Sequence, residues 1–318
     1  RVQVAQTEDR REATARRCQK ATFPCGIERL AFSGLRQSAW CLRCRIGSVL
    51  KRTCVMRYGN CRWVDIQATD KDQIVVVVPT GALEQHGRHL PLLTDTILVT
   101  EVAERVEKKL SDQVLLVPTL WLGASDHHLD FPGTLSLPNT VYAEMIKHVL
   151  QCCVGAGFRR IMFLNGHGGN TAPGTVAITE MANSREDCDA VLVGWTGYWQ
   201  GPAFAPEKHG METPHASHAC EYETSMMLAV ADEMVQMSEA RAGSVVIDSK
   251  FYHSELGGQV TLAGRFHRRT STGAMGRPDL GTAEKGVSLI DAAVEDTVGL
   301  ITDFLTWETP RVFSTEQG

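Results

Sequence analysis

The sequence predicts an α/β protein built on a mainly parallel sheet. Short apolar runs alternate with amphipathic stretches of helical period, and parallel strands need such crossovers between them. Polar clusters rich in glycine recur directly after the apolar runs, where open α/β sheets place their ligand crevice. No repeat of 20–50 residues interrupts the pattern.

The first strand is expected over 74–79, where Ile74 and four consecutive valines form a fully apolar run. A helix over 94–110 follows, with Ile97, Val99, Val102, Ala103, Val106 and Leu110 at helical spacing. Next come a strand over 114–122, a helix over 141–156 stopped at Gly157, and a short strand over 161–164 running into Asn165-Gly166. A helix over 170–184, a strand over 190–195 and a Met-rich helix over 223–235 continue the alternation. Residues 254–281 are polar and Gly-rich, a long functional loop or a pair of edge strands, and 282–305 close the chain as a helix. One catalytic domain is assigned to 56–318.

Charge divides the chain unevenly. Residues 1–55 hold 12 Lys and Arg against 4 Asp and Glu, a net +8, so the remainder carries −13 to reach the overall −5. That leader has five of the ten cysteines, Cys18, Cys25, Cys41, Cys44 and Cys54, and no histidine. The favoured reading is a non-catalytic or poorly ordered extension ahead of Met56 as natural start. A zinc module on Cys41 and Cys44, a transit peptide and a nucleic-acid arm compete with it. Each is weak: the zinc site lacks a second ligand pair, and Glu8, Asp9 and Glu12 do not suit a transit peptide. No apolar run approaches the roughly 20 residues of a membrane span. The remaining thiols, Cys152 and Cys153 among them, fit a reduced cytoplasmic setting.

Three clusters carry chemistry. In the first, Glu84, His86 and Asp95 offer two oxygen donors and one nitrogen donor, a mixture suited to Zn²⁺ or Mn²⁺, although Asp95 also sits where a helix cap belongs. The second, Asn165-Gly166-His167-Gly168-Gly169-Asn170, projects His167 from a glycine turn; a phosphate loop competes, but no P-loop Lys-Ser/Thr follows. The third holds His218, Glu221 and Glu223 ahead of a helix, where acids also serve as dipole partners. Glu223 is placed to complete a metal site and His218 to move protons. A fourth stretch, from Ser125 through His128 to Thr134, is polar enough to line a substrate pocket, and Trp195 and Trp199 offer either an aromatic wall or core packing.

These motifs, in this order, resemble the creatininase (creatinine amidohydrolase) family: Gly81 to Asp95, Asn165 to Asn170, His218 to Ser225, and the Phe131-Pro-Gly-Thr134 segment. The resemblance implies a three-layer αβα sandwich, commonly assembled as a homo-oligomer of six chains, with two divalent ions, Zn²⁺ or Mn²⁺ with Fe²⁺ as a further candidate. It places Glu84 and His167 on one ion, His86 and Glu223 on the other, Asp95 between them and His218 as the catalytic histidine. The activity it implies is hydrolysis of a C–N bond in a small cyclic amide by an activated water. A formamide, a peptide of redox-cofactor maturation and a cyclic sugar ketone are the alternative substrates, and a non-catalytic metal-binding protein the alternative class. Ser125, His128, Trp195, Trp199 and Glu221 are the expected substrate contacts. Creatininase proper carries Tyr-Glu where this chain has Gly168-Gly169, which speaks against creatinine itself.

Overall fold

A computed structural model describes residues 57–184, 190–245, 247–253, 257–258, 260 and 262–308. The basic leader over 1–55, Met56, and part of the 254–281 stretch lie outside these described residues.

Four strands form one parallel sheet in the order β2-β1-β3-β4: β1 is Val75–Thr80, β2 Val114–Leu116, β3 Arg160–Asn165 and β4 Leu192–Gly197. Val76 pairs with Ile161 and Arg160 with Leu192, which brings the carboxyl ends of β1, β3 and β4 to a common edge. All six residues of β1 are buried, because both of its faces are covered. Val75 and Val77 pack into one core with the helices α2 (Thr94–Lys109), α5 (Glu221–Val230) and α6 (Ala283–Thr306). Val76 and Val78 pack into the other, against α3 (Asn139–Gly155) and α4 (Thr171–Ser184). The alternation of side chains along a strand thus separates two apolar layers, and the three-layer αβα sandwich follows.

Two elements are shorter than their patterns suggest. Only Val114–Leu116 of the expected 114–122 strand pairs as a ladder, since Pro118 has no N–H to give. The chain nonetheless stays alongside β1, with the Leu120 N–H donating to the Pro79 carbonyl at 2.9 Å. Helix α5 starts two residues before the expected 223 and stops at Val230, after which Ala231 leaves helical geometry. Among the described residues, the 254–281 stretch supplies β7 of a small antiparallel sheet (β5 Asp248–Ser249, β6 Tyr252–His253, β7 Gly257–Gly258) and short 3-10 turns.

Candidate metal centre

The loop after β1 carries Glu84 and His86, and α2 opens immediately behind it. Asp95 occupies the first turn of α2, not its cap, which is Leu93, so its carboxylate is free to face inward. Its Oδ1 is 3.0 Å from His86 Nε2, and its Oδ2 is 3.0 Å from His167 Nδ1. Glu84 Oε2 stands 3.3 Å from His167 Nε2, while Oε1 is 3.3 Å from both His128 Nε2 and His218 Nδ1. Glu223, from the first turn of α5, brings Oε2 to 3.7 Å from His86 Nε2. Among the described residues four donor groups result, in each of which the donor atoms lie inside 4.8 Å of one another: two share Asp95, namely Glu84 with Asp95 and His167, and His86 with Asp95 and Glu223, and two share Glu84 with other histidines, His86 and His218 in one and His127 and His128 in the other.

Three carboxylate oxygens in this cluster, both of Glu84 and Oδ2 of Asp95, are buried with no hydrogen bond directed at them. Burying ionised oxygens without donors is costly unless a cation takes the donors' place. Atoms bound to one ion at 2.0–2.2 Å sit about 3 to 3.5 Å apart, and the contacts of Asp95 with His86 and His167, both 3.0 Å, fall in that range, with Glu223 slightly farther from His86 at 3.7 Å. The second layer supports the same reading. His86 directs Nδ1 to the Glu84 carbonyl at 3.1 Å, leaving the Nε2 lone pair for the cluster, and His167 directs Nε2 to the Ala124 carbonyl at 3.2 Å. Asn165 accepts from the His167 N–H and donates to its carbonyl, which fixes the turn.

Electrostatics follow from burial and mutual contact. Burial pushes Glu84 and Glu223 up to about 7, partly offset by His167 for the first and His86 for the second. Burial opposes charge on His86, but Asp95 outweighs it and raises the ring to about 10. His167 is likewise penalised by burial, yet Glu84 and Asp95 lift it to about 9. Asp95 is penalised by burial too, and the two histidines hold it well below the usual carboxylate range. His218 is driven well below its ordinary value by burial and by His86 and His128, so its ring is neutral at pH 7.

A cavity of about 500 Å³ opens over the cluster, lined by Glu84, Asp95, His167, His218 and Glu223 on its polar side and by Trp199, Phe266 and Met275 among its apolar residues. A family model described as creatinine amidohydrolase matches residues 59–301. The chain belongs to the creatininase family. Its relatives include the mycofactocin precursor peptide peptidase of Mycobacterium tuberculosis, 32% identical over 70% of this chain and 82% of that one. They also include the creatinine amidohydrolase of Pseudomonas putida, 27% identical over 56% and 73%. A 3-dehydro-scyllo-inosose hydrolase of Thermotoga maritima is 26% identical over 73% of this chain and 78% of its own. A solved creatininase superposes with a TM-score of 0.66 at 22% identity, covering 79% of this chain and 98% of that one, a likeness of fold. Related creatininase structures are described as Zn–Zn and Mn forms.

Within this creatininase-family hydrolase, the expected substrate contacts divide. His128 and Trp199 line the cavity. Ser125 does not; it is buried with Oγ 3.3 Å from His167 Nε2, so it touches the histidine instead. Trp195 lies on the opposite face of β4, stacked on Phe163 at 5.6 Å and over Gly174, where the side-chain alternation of the strand puts it. Glu221 points away as well: it accepts from the Thr213 N–H at 2.7 Å and from Lys285 Nζ at 2.6 Å. Gln85, His127, Phe266 and Arg269 join the site without having been singled out. Gln85 holds its Oε1 on the Gly87 N–H and turns its amide toward His218 Nε2 at 3.0 Å, His128 Nδ1 at 2.8 Å and the Gly273 carbonyl at 3.0 Å. Its position between two expected ligands was the available signal. Phe266 and Arg269 fall in aperiodic sequence that gave none.

Proposed function

We propose that this hydrolase cleaves a C–N bond of an amide at a two-metal centre held by Glu84, His86, Asp95, His167 and Glu223. The observation that carries the reading is Asp95, whose two oxygens face two different imidazoles and so belong to both donor groups that share it. A pair of divalent cations in a carboxylate and imidazole set of this kind supplies Lewis acidity, polarising an amide carbonyl and acidifying water. Zn²⁺ and Mn²⁺ both suit these donors, as does Fe²⁺.

His218 acts through Nδ1, the ring nitrogen turned to the cluster, while Gln85 anchors Nε2. A neutral ring that accepts from the Gln85 amide at Nε2 carries its hydrogen on Nδ1, facing the cluster, and would donate it to the departing nitrogen as the attacking water's proton replaces it there. Burial disfavours a resting imidazolium at this position. Tilted contacts with His86 at 4.3 Å and His128 at 4.4 Å keep the ring in place.

A peptide amide is a second substrate reading, and Gly169 favours it over creatinine. A Cβ at 169 would lie 2.4 Å from both the Ala124 carbonyl oxygen and His167 Nε2, and 2.8 Å from His127. No side chain fits there, so the glutamate of creatininase proper has no room in this arrangement. The deciding experiment is a hydrolysis screen of the zinc- or manganese-loaded protein against creatinine, other cyclic amides, formamides and short peptides, with metal content measured on each preparation. Amide hydrolysis that disappears in Asp95→Asn together with both metals supports the reading; full turnover by a metal-free preparation overturns it.

A further inference from the structure

Arg269 is the one Lys or Arg on the cavity wall among the described residues, and the carboxylates there are those of Glu84, Asp95 and Glu223. Its side chain donates from Nη2 to the Leu262 carbonyl at 2.5 Å and meets no carboxylate among the described residues. The nearby acid is already engaged: Asp130 pairs with Arg265 at 3.1 Å and with His267 at 2.5 Å, clasping the turn Phe266–Arg268 that carries Arg269 to the cavity. The position is thus built by its surroundings while, among the described residues, no carboxylate pairs with the guanidinium. The same wall carries the apolar Val260, Leu262, Phe266 and Met275.

A half-buried guanidinium is stabilised by an anion, and its planar fork matches a carboxylate better than a point charge would. We propose that Arg269 receives a carboxylate of the substrate, so that the substrate is an amide with an apolar body and a free carboxylate. The inference rests on the amidohydrolase reading for the amide, but not for the anion subsite. Creatinine and other neutral ring amides lack the group that Arg269 would bind; an N-acylamino acid or a peptide with a free C-terminus has it.

The test compares matched probes that differ only in this group. N-Acetyl-L-leucine and N-acetyl-L-leucinamide are titrated calorimetrically into the zinc-loaded protein, and hydrolysis of alanyl-leucine is compared with that of alanyl-leucinamide. The acid is expected to bind about 10- to 100-fold more tightly than the amide, as a charge-assisted hydrogen bond would give. Arg269→Gln keeps a donor for the Leu262 carbonyl but removes the charge, and should bring the two probes to within about twofold of each other, whereas Arg269→Lys retains part of the preference. Equal binding of acid and amide by the unaltered protein overturns the proposal. So does a preference that survives in Arg269→Gln, because the carboxylate would then sit on the metals. An arginine-dependent preference without hydrolysis of any amide would bring down the amidohydrolase reading and leave the subsite standing; hydrolysis indifferent to the carboxylate would do the reverse.

Discussion

His218 stands beside the donor groups that share Asp95, with its Nδ1 facing Glu84 and its Nε2 facing Gln85. Proton transfer by a placed side chain is worth about 10²–10⁴ in rate. His218→Asn is therefore expected to lower kcat by about that factor with two metals per chain retained, as measured by steady-state kinetics beside elemental analysis. A parallel loss of metal would make His218 a ligand. Gly169→Ala tests the crowding around His167: relieving the overlap with the Ala124 carbonyl and the imidazole should cost about 1–3 kcal/mol in denaturant unfolding and weaken metal retention. That Glu84, His86, Asp95, His167 and Glu223 come together was legible because each stands in a motif rich in metal-binding residue types. Gln85 was not, since an amide neither titrates nor suits these ions, and its role exists only through three partners far away in sequence. Trp195 and Trp199 looked alike as aromatics near the end of a strand; only the face of β4 on which Trp195 lies separates them.

At the scale of elements, α5 shows why two acids two residues apart have different fates. Successive helical residues turn by about 100°, so Glu221 and Glu223 point to nearly opposite sides. Glu223 reaches the cluster, and Glu221 meets Lys285 of α6. From sequence both read as first-turn acids, because the direction of each depends on where α6 packs. Removing the lysine leaves a buried carboxylate with backbone donors alone. Lys285→Met should cost about 1–3 kcal/mol of stability by urea titration and lower kcat through displacement of Glu223, although Lys285 lies outside the cavity. The strand and helix boundaries differ from the sequence pattern mainly where proline removes a donor, at Pro118, or where a helix end is set by its neighbours, at Ala231.

For the molecule as a whole, the candidate site draws on the loop after β1, the start of α2, the end of β3 and the start of α5, brought together because parallel strands deliver their carboxyl ends to one edge. The alternation of apolar runs with helices made that architecture readable in advance. In the metal-free protein, Glu84 and Glu223 are raised to about 7, and His167 and His86 to about 9 and 10. A raised folded value adds stability below the unfolded one and loses it as pH climbs through the folded one. The metal-free protein should therefore melt at progressively lower temperature from pH 7 to pH 10, and the metal-loaded protein should not, since the ions replace those protons. Scanning calorimetry with and without chelator checks this; coincident curves would contradict it. The last helix adds a different dependence. Gly286 of α6 packs so closely on α5 that a Cβ would lie 1.9 Å from the Ser225 carbonyl oxygen, and Ser225 Oγ accepts the Thr282 N–H. The residue that completes the donor set is thus held by a helix some sixty positions downstream that contributes nothing to the cavity wall. A nascent or clipped chain ending before α6 would carry every ligand and still load metal poorly, so damage at the far end of the polypeptide would present as a cofactor deficiency.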